Sequence, residues 1–91
     1  MATVTVRLPS LLRPVVGDVS SVEVQATSTR GALELLLRDH PGLRVHLFDE
    51  DGVLRRHVLC FVDGMPTRLG EEDPPVRDGS EVTILQSVAG G

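Results

Sequence analysis

The most suggestive chemistry in this sequence lies at its end, in Val88-Ala89-Gly90-Gly91. Gly90 and Gly91 lack a Cβ, so they fit a narrow channel and adopt dihedral angles that are closed to other residues. A free α-carboxylate is an anion at neutral pH and a poor electrophile, so acyl transfer at Gly91 requires its activation. Val88 and Ala89 can extend and pair with a partner's backbone as an added strand. We therefore predict a flexible, reactive tail over residues 88–91, although two glycines at a chain end also suit an inert frayed terminus.

The other residue types that often do chemistry form no constellation. The histidines His40, His46 and His57 lie in different segments and lack the spacing of a metal site. Cys60, the single cysteine, lies in an apolar run, which favours a buried small hydrophobic side chain over a reactive thiol. The acidic run 49–51 is not a calcium loop, and the sequence has no Gly-rich phosphate loop. We therefore predict no metal site and no cofactor bound by this chain.

The bulk properties limit the class of protein. A length of 91 residues suits one domain. The net charge of -4, without a basic stripe or interleaved aromatic residues, argues against binding to nucleic acid. No apolar stretch approaches the roughly 20 residues that span a membrane, and the first residues lack the features of a signal peptide. With its single cysteine unable to form an internal disulfide, the chain is expected in the cytoplasm.

Alternating apolar and polar residues predict strands on both sides of one helix. Ser28 is a suitable N-cap for a helix that should stop near His40, because Pro41 cannot continue it. The Asp-Gly pairs at 63–64 and 78–79 predict tight turns. The predicted elements are strands at 2–8, 19–25, 57–62, 65–69 and 81–87, a helix at 28–40, loops at 9–18 and 70–75, and a candidate strand start at 53–54, with no clear prediction for 43–51.

This order of elements predicts an α+β domain over residues 1–87. We expect a mixed sheet of about four to five strands with one main helix packed on one face. The first and last strands are expected side by side in the centre of the sheet. Because the helix covers one face, the other face must meet water or a partner.

Alternation places Leu59, Phe61 and Leu85 on this open face, beside the tail. Exposed apolar patches on small soluble proteins often mark interaction sites, although single exposed apolar residues are also common. Phe61 is one of only two aromatic residues, and aromatic residues are enriched in the cores of interfaces. We therefore predict a docking patch, to which Arg7 and Arg13 add polar contacts at the rim.

Taken with the order of elements, the sequence resembles the ubiquitin-like sulfur-carrier proteins, which have the β-grasp fold and serve thiamin, molybdopterin and cysteine biosynthesis. The likeness covers nearly the whole chain. Its most specific part is a strand of the form Asp-Gly-x-x-Val-x-Ile followed closely by the terminal Gly-Gly. One departure is visible, because the family often has proline after the last strand, where this chain has Gln86-Ser87. The stretches that carry the likeness are 8–13, 58–64 and 78–85 with the tail 88–91.

The resemblance implies a protein co-substrate and not an enzyme. An E1-like adenylyltransferase and sulfurtransferase would adenylate Gly91 with ATP that the partner binds, and a sulfur donor would then convert Gly91 to a thiocarboxylate. A sulfur-accepting synthase would take the sulfur from Gly91. The free chain is expected to be a monomer, with no nucleic-acid or membrane partner.

Several functions stay open at this level. Chain length and the Val-Ala-Gly-Gly ending favour a cysteine-type pathway or a specialised metabolite such as a thiosugar, while thiamin or molybdopterin precursors remain acceptors to consider. The alternatives are a ubiquitin-like modifier conjugated through Gly91, the small subunit of molybdopterin synthase, and a β-grasp binding module with an inert tail.

Overall fold

The computed structural model describes residues 1–68 and 73–86. The predicted tail, with Val88, Ala89, Gly90 and Gly91, lies outside the described residues, and so do the predicted strand ends at 69 and 87. No helix in the described part of the chain is long and apolar enough to cross a membrane.

The centre of the molecule is a mixed sheet. Its strands are β1 (Ala2–Arg7), β2 (Ser21–Ala26), β3 (Val58–Val62), β4 (Met65–Thr67) and β5 (Glu81–Gln86). The five strands lie in the order β2-β1-β5-β3-β4. β1 and β5 run parallel, and all other neighbouring strands are antiparallel. The prediction that the first and last strands pair in the centre is therefore confirmed.

One long helix, α1 (Thr29–Asp39), crosses one face of the sheet and is capped as the sequence predicts. The Oγ of Ser28 accepts a hydrogen bond from the Gly31 N–H at 3.1 Å. A Cβ on Gly31 would lie 3.2 Å from that oxygen, so glycine leaves room for the cap. The helix ends before Pro41, which lacks the N–H that a further turn requires.

The core lies between α1 and the inner face of the sheet. As predicted, alternate residues of β3 point inward: Val58, Cys60 and Val62 are all buried. They pack in one cluster with inward residues of the central strands and the apolar side of α1, which include Val4, Val6, Val82, Ile84, Leu33 and Leu36.

The segment between β1 and β2 differs from the predicted loop, because it contains a 3₁₀ helix, Ser10–Val16. Leu12 and Val16, four residues apart, are both buried and hold this helix against the core. Asp18 adopts a left-handed φ of 64° in the turn that follows. β2 therefore begins at Ser21 and not at the predicted residue 19.

The segment that the sequence left open forms a short 3₁₀ helix, Pro41–Leu43, followed by α2 (Arg44–Leu47). Leu43 and Leu47 are fully buried and anchor it. The candidate strand at 53–54 is limited to an isolated bridge between Phe48 and Leu54. This segment covers the end of α1 and adds no strand to the sheet.

Candidate functional site

The predicted docking patch lies on the open face of the sheet. Leu59 and Leu85 are directly opposite each other on the antiparallel strands β3 and β5, and Phe61 is opposite Thr83 in the same ladder. Leu59 is 45% exposed, Leu85 is 42% exposed, and Phe61 is partly buried. The structure thus brings Leu59, Phe61 and Leu85 together on two adjacent strands and leaves them accessible, which is the geometry that the alternation predicts.

The neighbouring strand β1 supplies charge to the same face. Arg7 is paired in register with Thr83, which in turn lies opposite Phe61. The Arg7 guanidinium forms an ion pair with the carboxylate of Glu81, and both side chains are about half exposed. The apolar patch is therefore bordered by a cation that is already paired, which places Arg7 at the predicted rim.

β5 ends beside this patch, at the last described residue before the predicted tail. Parallel β1 and β5 end at the same edge of the sheet, and antiparallel β3 begins there with Val58 opposite Gln86. We call this end of the sheet, where Gln86 pairs with Val58 and β1 ends at Arg7 three residues short of Gln86 in register, the exit edge. Leu85 is only one residue before Gln86, so the chain runs from the docking patch directly into the predicted reactive tail.

Arg13 is placed differently from the strand residues. It lies in the 3₁₀ helix Ser10–Val16, which follows the end of β1 at the exit edge. Its Nε is buried and has no hydrogen-bond partner within the described residues. A buried donor without a partner costs free energy, so Arg13 gains more than an exposed cation would from an acceptor that reaches this edge. Its role in partner binding stays a prediction.

Leu11 is a candidate that the sequence interpretation missed. It lies in the same 3₁₀ helix and is 66% exposed, although its neighbour Leu12 is fully buried. The spacing of four residues between Leu12 and Val16 is compatible with a helical turn that points Leu11 outward, but two positions alone do not distinguish that turn from a loop. Leu11 adds an exposed apolar side chain at the exit edge.

The opposite end of β5 is fastened to the turn after β3. The carboxylate of Asp63 accepts a hydrogen bond from the Glu81 N–H at 2.8 Å and another from the Ser80 hydroxyl at 3.0 Å. Ser80 is buried, and its Oγ also accepts from the Arg77 N–H at 3.0 Å. β5 is therefore held firmly at its start, while its other end leads to the tail.

The described residues offer no competing catalytic centre. No group of three or more His, Cys, Asp or Glu side chains in the described part of the chain could hold a metal ion. Burial raises the pKa of the Cys60 thiol to about 11, which keeps it protonated and unreactive at neutral pH. This agrees with the interpretation of Cys60 as a core residue.

A groove of about 350 Å³ opens on the helix side of the molecule. Apolar side chains, including Leu37 and Phe48, line it together with Arg30, Glu34 and Arg44. It lies beside α1, whereas the docking patch lies on the sheet face that α1 leaves open. This groove is therefore separate from the patch that leads into the tail.

A five-stranded mixed sheet with parallel central β1 and β5, crossed by one long helix, defines a β-grasp protein of the ubiquitin-like class. The predicted fold class is confirmed by similar folds in solved structures. The ThiS family model matches residues 6–91, which includes the tail. This chain belongs to the ThiS family of sulfur carriers.

Individual relatives agree with this assignment. The chain is 34% identical over 91 residues to the sulfur carrier protein CysO of Mycobacterium tuberculosis, covering 97% of this chain and 98% of the relative. A solved structure, the BexX/CysO complex of Amycolatopsis orientalis, matches with a TM-score of 0.83 and 32% identity, covering 97% of this chain and 99% of the matched chain.

The chain is also similar to a relative that is named as a protein modifier. The small archaeal modifier protein 1 of Haloferax volcanii is 34% identical over 71 residues, covering 77% of this chain and 78% of the relative. The crystal structure of that protein has a TM-score of 0.84 and 27% identity, covering 99% of this chain and 100% of the matched chain.

These similarities confirm the predicted membership in the ubiquitin-like sulfur-carrier family. Members of this kind are small carriers and not enzymes themselves, which also confirms the prediction that this chain is a carrier and not an enzyme.

Proposed function

We propose that this chain is a sulfur carrier whose Gly91 carboxylate is adenylated by an E1-like enzyme and then converted to a thiocarboxylate that donates sulfur in biosynthesis. The observation that carries this proposal is the family match, which extends over residues 6–91 and therefore includes Gly90 and Gly91. The similarity to a protein named as a sulfur carrier, over 97% of the chain, supports the same function.

The chemistry takes place in two steps at one carboxyl group. A carboxylate oxygen of Gly91 attacks the α-phosphorus of ATP, and pyrophosphate leaves. A sulfur nucleophile from the donor then attacks the carbonyl carbon, and AMP leaves with the electron pair of the broken C–O bond. With hydrosulfide as that nucleophile, loss of its proton to solvent leaves Gly91 as a thiocarboxylate, which is nucleophilic at neutral pH. With a persulfide donor, a second thiol attacks the donor's sulfur, forms a disulfide with it and releases the same thiocarboxylate. In this scheme the partner enzyme binds ATP, and the chain binds no cofactor.

The docking patch gives the partner a place to hold the carrier while the tail reacts. Leu59, Phe61 and Leu85 provide an accessible apolar surface, and the chain enters the tail one residue after Leu85. Holding the domain close to the active site raises the local concentration of the tail there, so binding energy from the patch assists a reaction several residues away. Arg13 and the Arg7–Glu81 pair would add polar contacts at the rim.

Two kinds of partner follow from this scheme: an E1-like adenylyltransferase and sulfurtransferase, and a synthase that accepts the sulfur. The solved relative in a BexX/CysO complex supports binding of such carriers to a partner protein. We favour a cysteine-type pathway or a specialised metabolite such as a thiosugar as the destination of the sulfur, and a free monomer in the cytoplasm.

The alternative function is that of a protein modifier joined through Gly91 to amines of other proteins. The similarity to small archaeal modifier protein 1 supports this candidate. Both functions begin with the same acyl-adenylate and differ in the nucleophile that follows, sulfur in one case and an amine in the other. A third candidate function is that of a permanent small subunit of molybdopterin synthase, which would use the same thiocarboxylate chemistry.

Intact-mass analysis of the protein isolated from its host tests the proposal. A carrier is expected to show a species in which one oxygen of Gly91 is replaced by sulfur, and this species should be absent from a variant that lacks Gly91. Isopeptide-linked adducts on other host proteins would support the modifier instead. Finding neither form, even after incubation with ATP and the host's activating enzyme, would contradict both.

A further inference from the structure

This sequence contains no lysine. Lysine and arginine together number nine, and all nine are arginine: Arg7, Arg13, Arg30, Arg38, Arg44, Arg55, Arg56, Arg68 and Arg77. A guanidinium stays protonated throughout the physiological pH range, so it cannot attack an activated carbonyl at neutral pH. A lysine, in contrast, exposes a small fraction of free amine that does attack one. No side-chain amine is therefore present in these 91 residues.

The difference in reactivity between arginine and lysine matters most at the exit edge, close to the predicted tail. Arg56 is exposed two residues before Val58, the partner of Gln86. Arg7 ends β1 in register with Thr83, three residues before Gln86, with its side chain 57% exposed and paired with Glu81. Residues 87–91 follow Gln86, and a chain of that length spans at most roughly 18 Å. A nucleophile at Arg7 or Arg56 would thus lie within reach of Gly91. Because the two groups belong to one molecule and are joined by so few residues, the effective concentration of that nucleophile would be on the order of millimolar.

The α-amine of Met1 lies at the end of the sheet opposite the exit edge. Met1 precedes β1, is 90% exposed, and is separated from the exit edge by the full length of that strand. Six residues of strand rise by about 20 Å, which exceeds the longest reach of the tail. The fold therefore separates the amine at Met1 from the activated end of the same molecule.

We propose that the arginines at the exit edge are specificity determinants of acyl transfer: they place guanidinium groups beside the activated tail and offer it no amine with which to form a stable amide. This inference rests on the proposed activation of Gly91. Its consequence is that the acyl group passes to the sulfur donor or to an amine of another protein. It does not pass to a side chain of this protein, in the same molecule or in a second copy.

The reaction that arginine prevents can be written out. A neutral lysine Nζ would attack the carbonyl carbon of Gly91 and form an amide bond. The bond from that carbon to the leaving group would break, the leaving group would take its electron pair, and the proton of the amine would go to solvent. The product within one molecule is a lactam, and between two molecules it is an isopeptide-linked dimer. Either product would permanently remove the carrier from sulfur transfer.

The test uses the chain as a C-terminal thioester, prepared by intein cleavage with 2-mercaptoethanesulfonate, so that no activating enzyme is needed. At mildly alkaline pH the wild-type thioester is expected to hydrolyse to the carboxylate only. The Arg56→Lys and Arg7→Lys thioesters are expected to give a lactam, seen by mass as the acid minus one water and resistant to hydroxylamine. Arg77→Lys, exposed and held next to Ser80 at the start of β5, the opposite end of that strand from Gln86, is the control that should yield no lactam.

Two results would overturn the inference. One is an amide at a side chain of the wild-type protein, and the other is the absence of lactam from both exit-edge variants when thermal melting shows that they are folded. The proposed function is measured separately, as ATP–pyrophosphate exchange by the host's activating enzyme. Failure of that exchange would contradict adenylation of Gly91 while leaving the thioester result intact, so the two failures are distinguishable.

Discussion

Leu59 and Leu85 lie directly opposite each other across β3 and β5, and both side chains face away from the core. Cross-strand partners on one face of an antiparallel pair have Cβ atoms in contact range, so these two leucines form a single surface. Leu85 is also the residue before Gln86, where the described part of β5 ends. The β5 side of the docking patch therefore ends one residue before the last described residue, Gln86, which precedes the predicted tail in sequence.

Replacing Leu59 with aspartate is expected to weaken activation of the carrier. A charge in the middle of an apolar contact must be desolvated when the partner binds, so Leu59→Asp should raise the KM for the activating enzyme by at least about tenfold. The measurement is ATP–pyrophosphate exchange as a function of carrier concentration. Because Leu59 is already 45% exposed, the free energy of unfolding should change by no more than about 1 kcal/mol.

Val53 provides the matched control for this prediction. It is 51% exposed and lines the groove beside α1, away from the open face. Val53→Asp should leave the KM unchanged. Equal effects of the two substitutions would remove the reason to assign docking to the open face, and a large loss of thermal stability in Leu59→Asp would place that residue in the core.

The hydrogen bonds of Asp63 are expected to stabilise the domain without taking part in its chemistry. Asp63→Ala leaves the buried Ser80 hydroxyl and the Glu81 N–H without their acceptor, which should cost about 1–2 kcal/mol in urea unfolding. Asp63 has a φ of 50°, in the left-handed region that asparagine tolerates better than alanine. Asp63→Asn should therefore lose less stability.

A double-mutant cycle with Ser80→Ala separates the hydrogen bond from the backbone effect. The two substitutions should be coupled by at least about 0.5 kcal/mol, because each removes the same contact. Strictly additive losses would show that the Asp63–Ser80 bond contributes nothing. Adenylation at saturating carrier should stay at the wild-type rate in both single variants, since both residues lie at the end of the sheet where β5 starts, opposite the exit edge.

Cys60 is expected to make stability fall at alkaline pH. Burial raises its pKa from 9.0 to about 11. As pH rises above 9, the unfolded chain loses the thiol proton while the folded chain retains it, so the unfolded state binds fewer protons and the free energy of unfolding decreases. The decrease should occur between about pH 9 and 11 and be absent below it. Urea unfolding across this range measures it.

Cys60→Ala is the control for this titration. It creates a small cavity and lowers stability at every pH, but it should remove the additional decline between pH 9 and 11. Parallel declines in the two proteins would show that another group is responsible. Native Cys60 should also react with iodoacetamide far more slowly than the unfolded protein, because the thiol is 3% exposed.

The sequence predicts the strands well where one face of the sheet is buried and the other is exposed to solvent. In β1 and β3, inward residues such as Val4 and Cys60 alternate with outward residues, and this period of two is visible in the sequence. The same alternation places Leu59 and Phe61 on the open face, so the patch is predictable before the structure is seen. Pairing of β1 with β5 follows from the order of the elements.

The short helices could not be predicted in the same way. Ser10–Val16 is only seven residues long and contains Pro14, so its two buried positions give too little periodicity to distinguish it from a loop. Leu43 and Leu47 are buried because they close the core beyond α1, and that burial depends on tertiary contacts. Arg13 shows the same limit, since its buried Nε depends on how the 3₁₀ helix packs.

Removal of Gly91 is expected to abolish activation and leave the domain folded. The buried core residues in the described part of the chain lie between Ala2 and Ile84, so we expect a deletion at residue 91 to change the free energy of unfolding by less than about 0.5 kcal/mol. Without Gly91 the carboxylate belongs to Gly90 and lies one residue, about 3.5 Å, short of its position in the activating site. A misplacement of that size in a reacting group is enough to stop the reaction.

Two variants make this last prediction specific to position and size. Addition of one alanine after Gly91 moves the carboxylate too far by the same distance and should also stop ATP–pyrophosphate exchange. Gly91→Ala keeps the length but adds a Cβ next to the attacked carbon, so it should still bind the partner, compete with wild type, and react more slowly.

If the truncated chain were adenylated as fast as wild type, Gly91 would not be the reacting residue. If it failed to compete for the enzyme, the tail would contribute to docking as well as to chemistry.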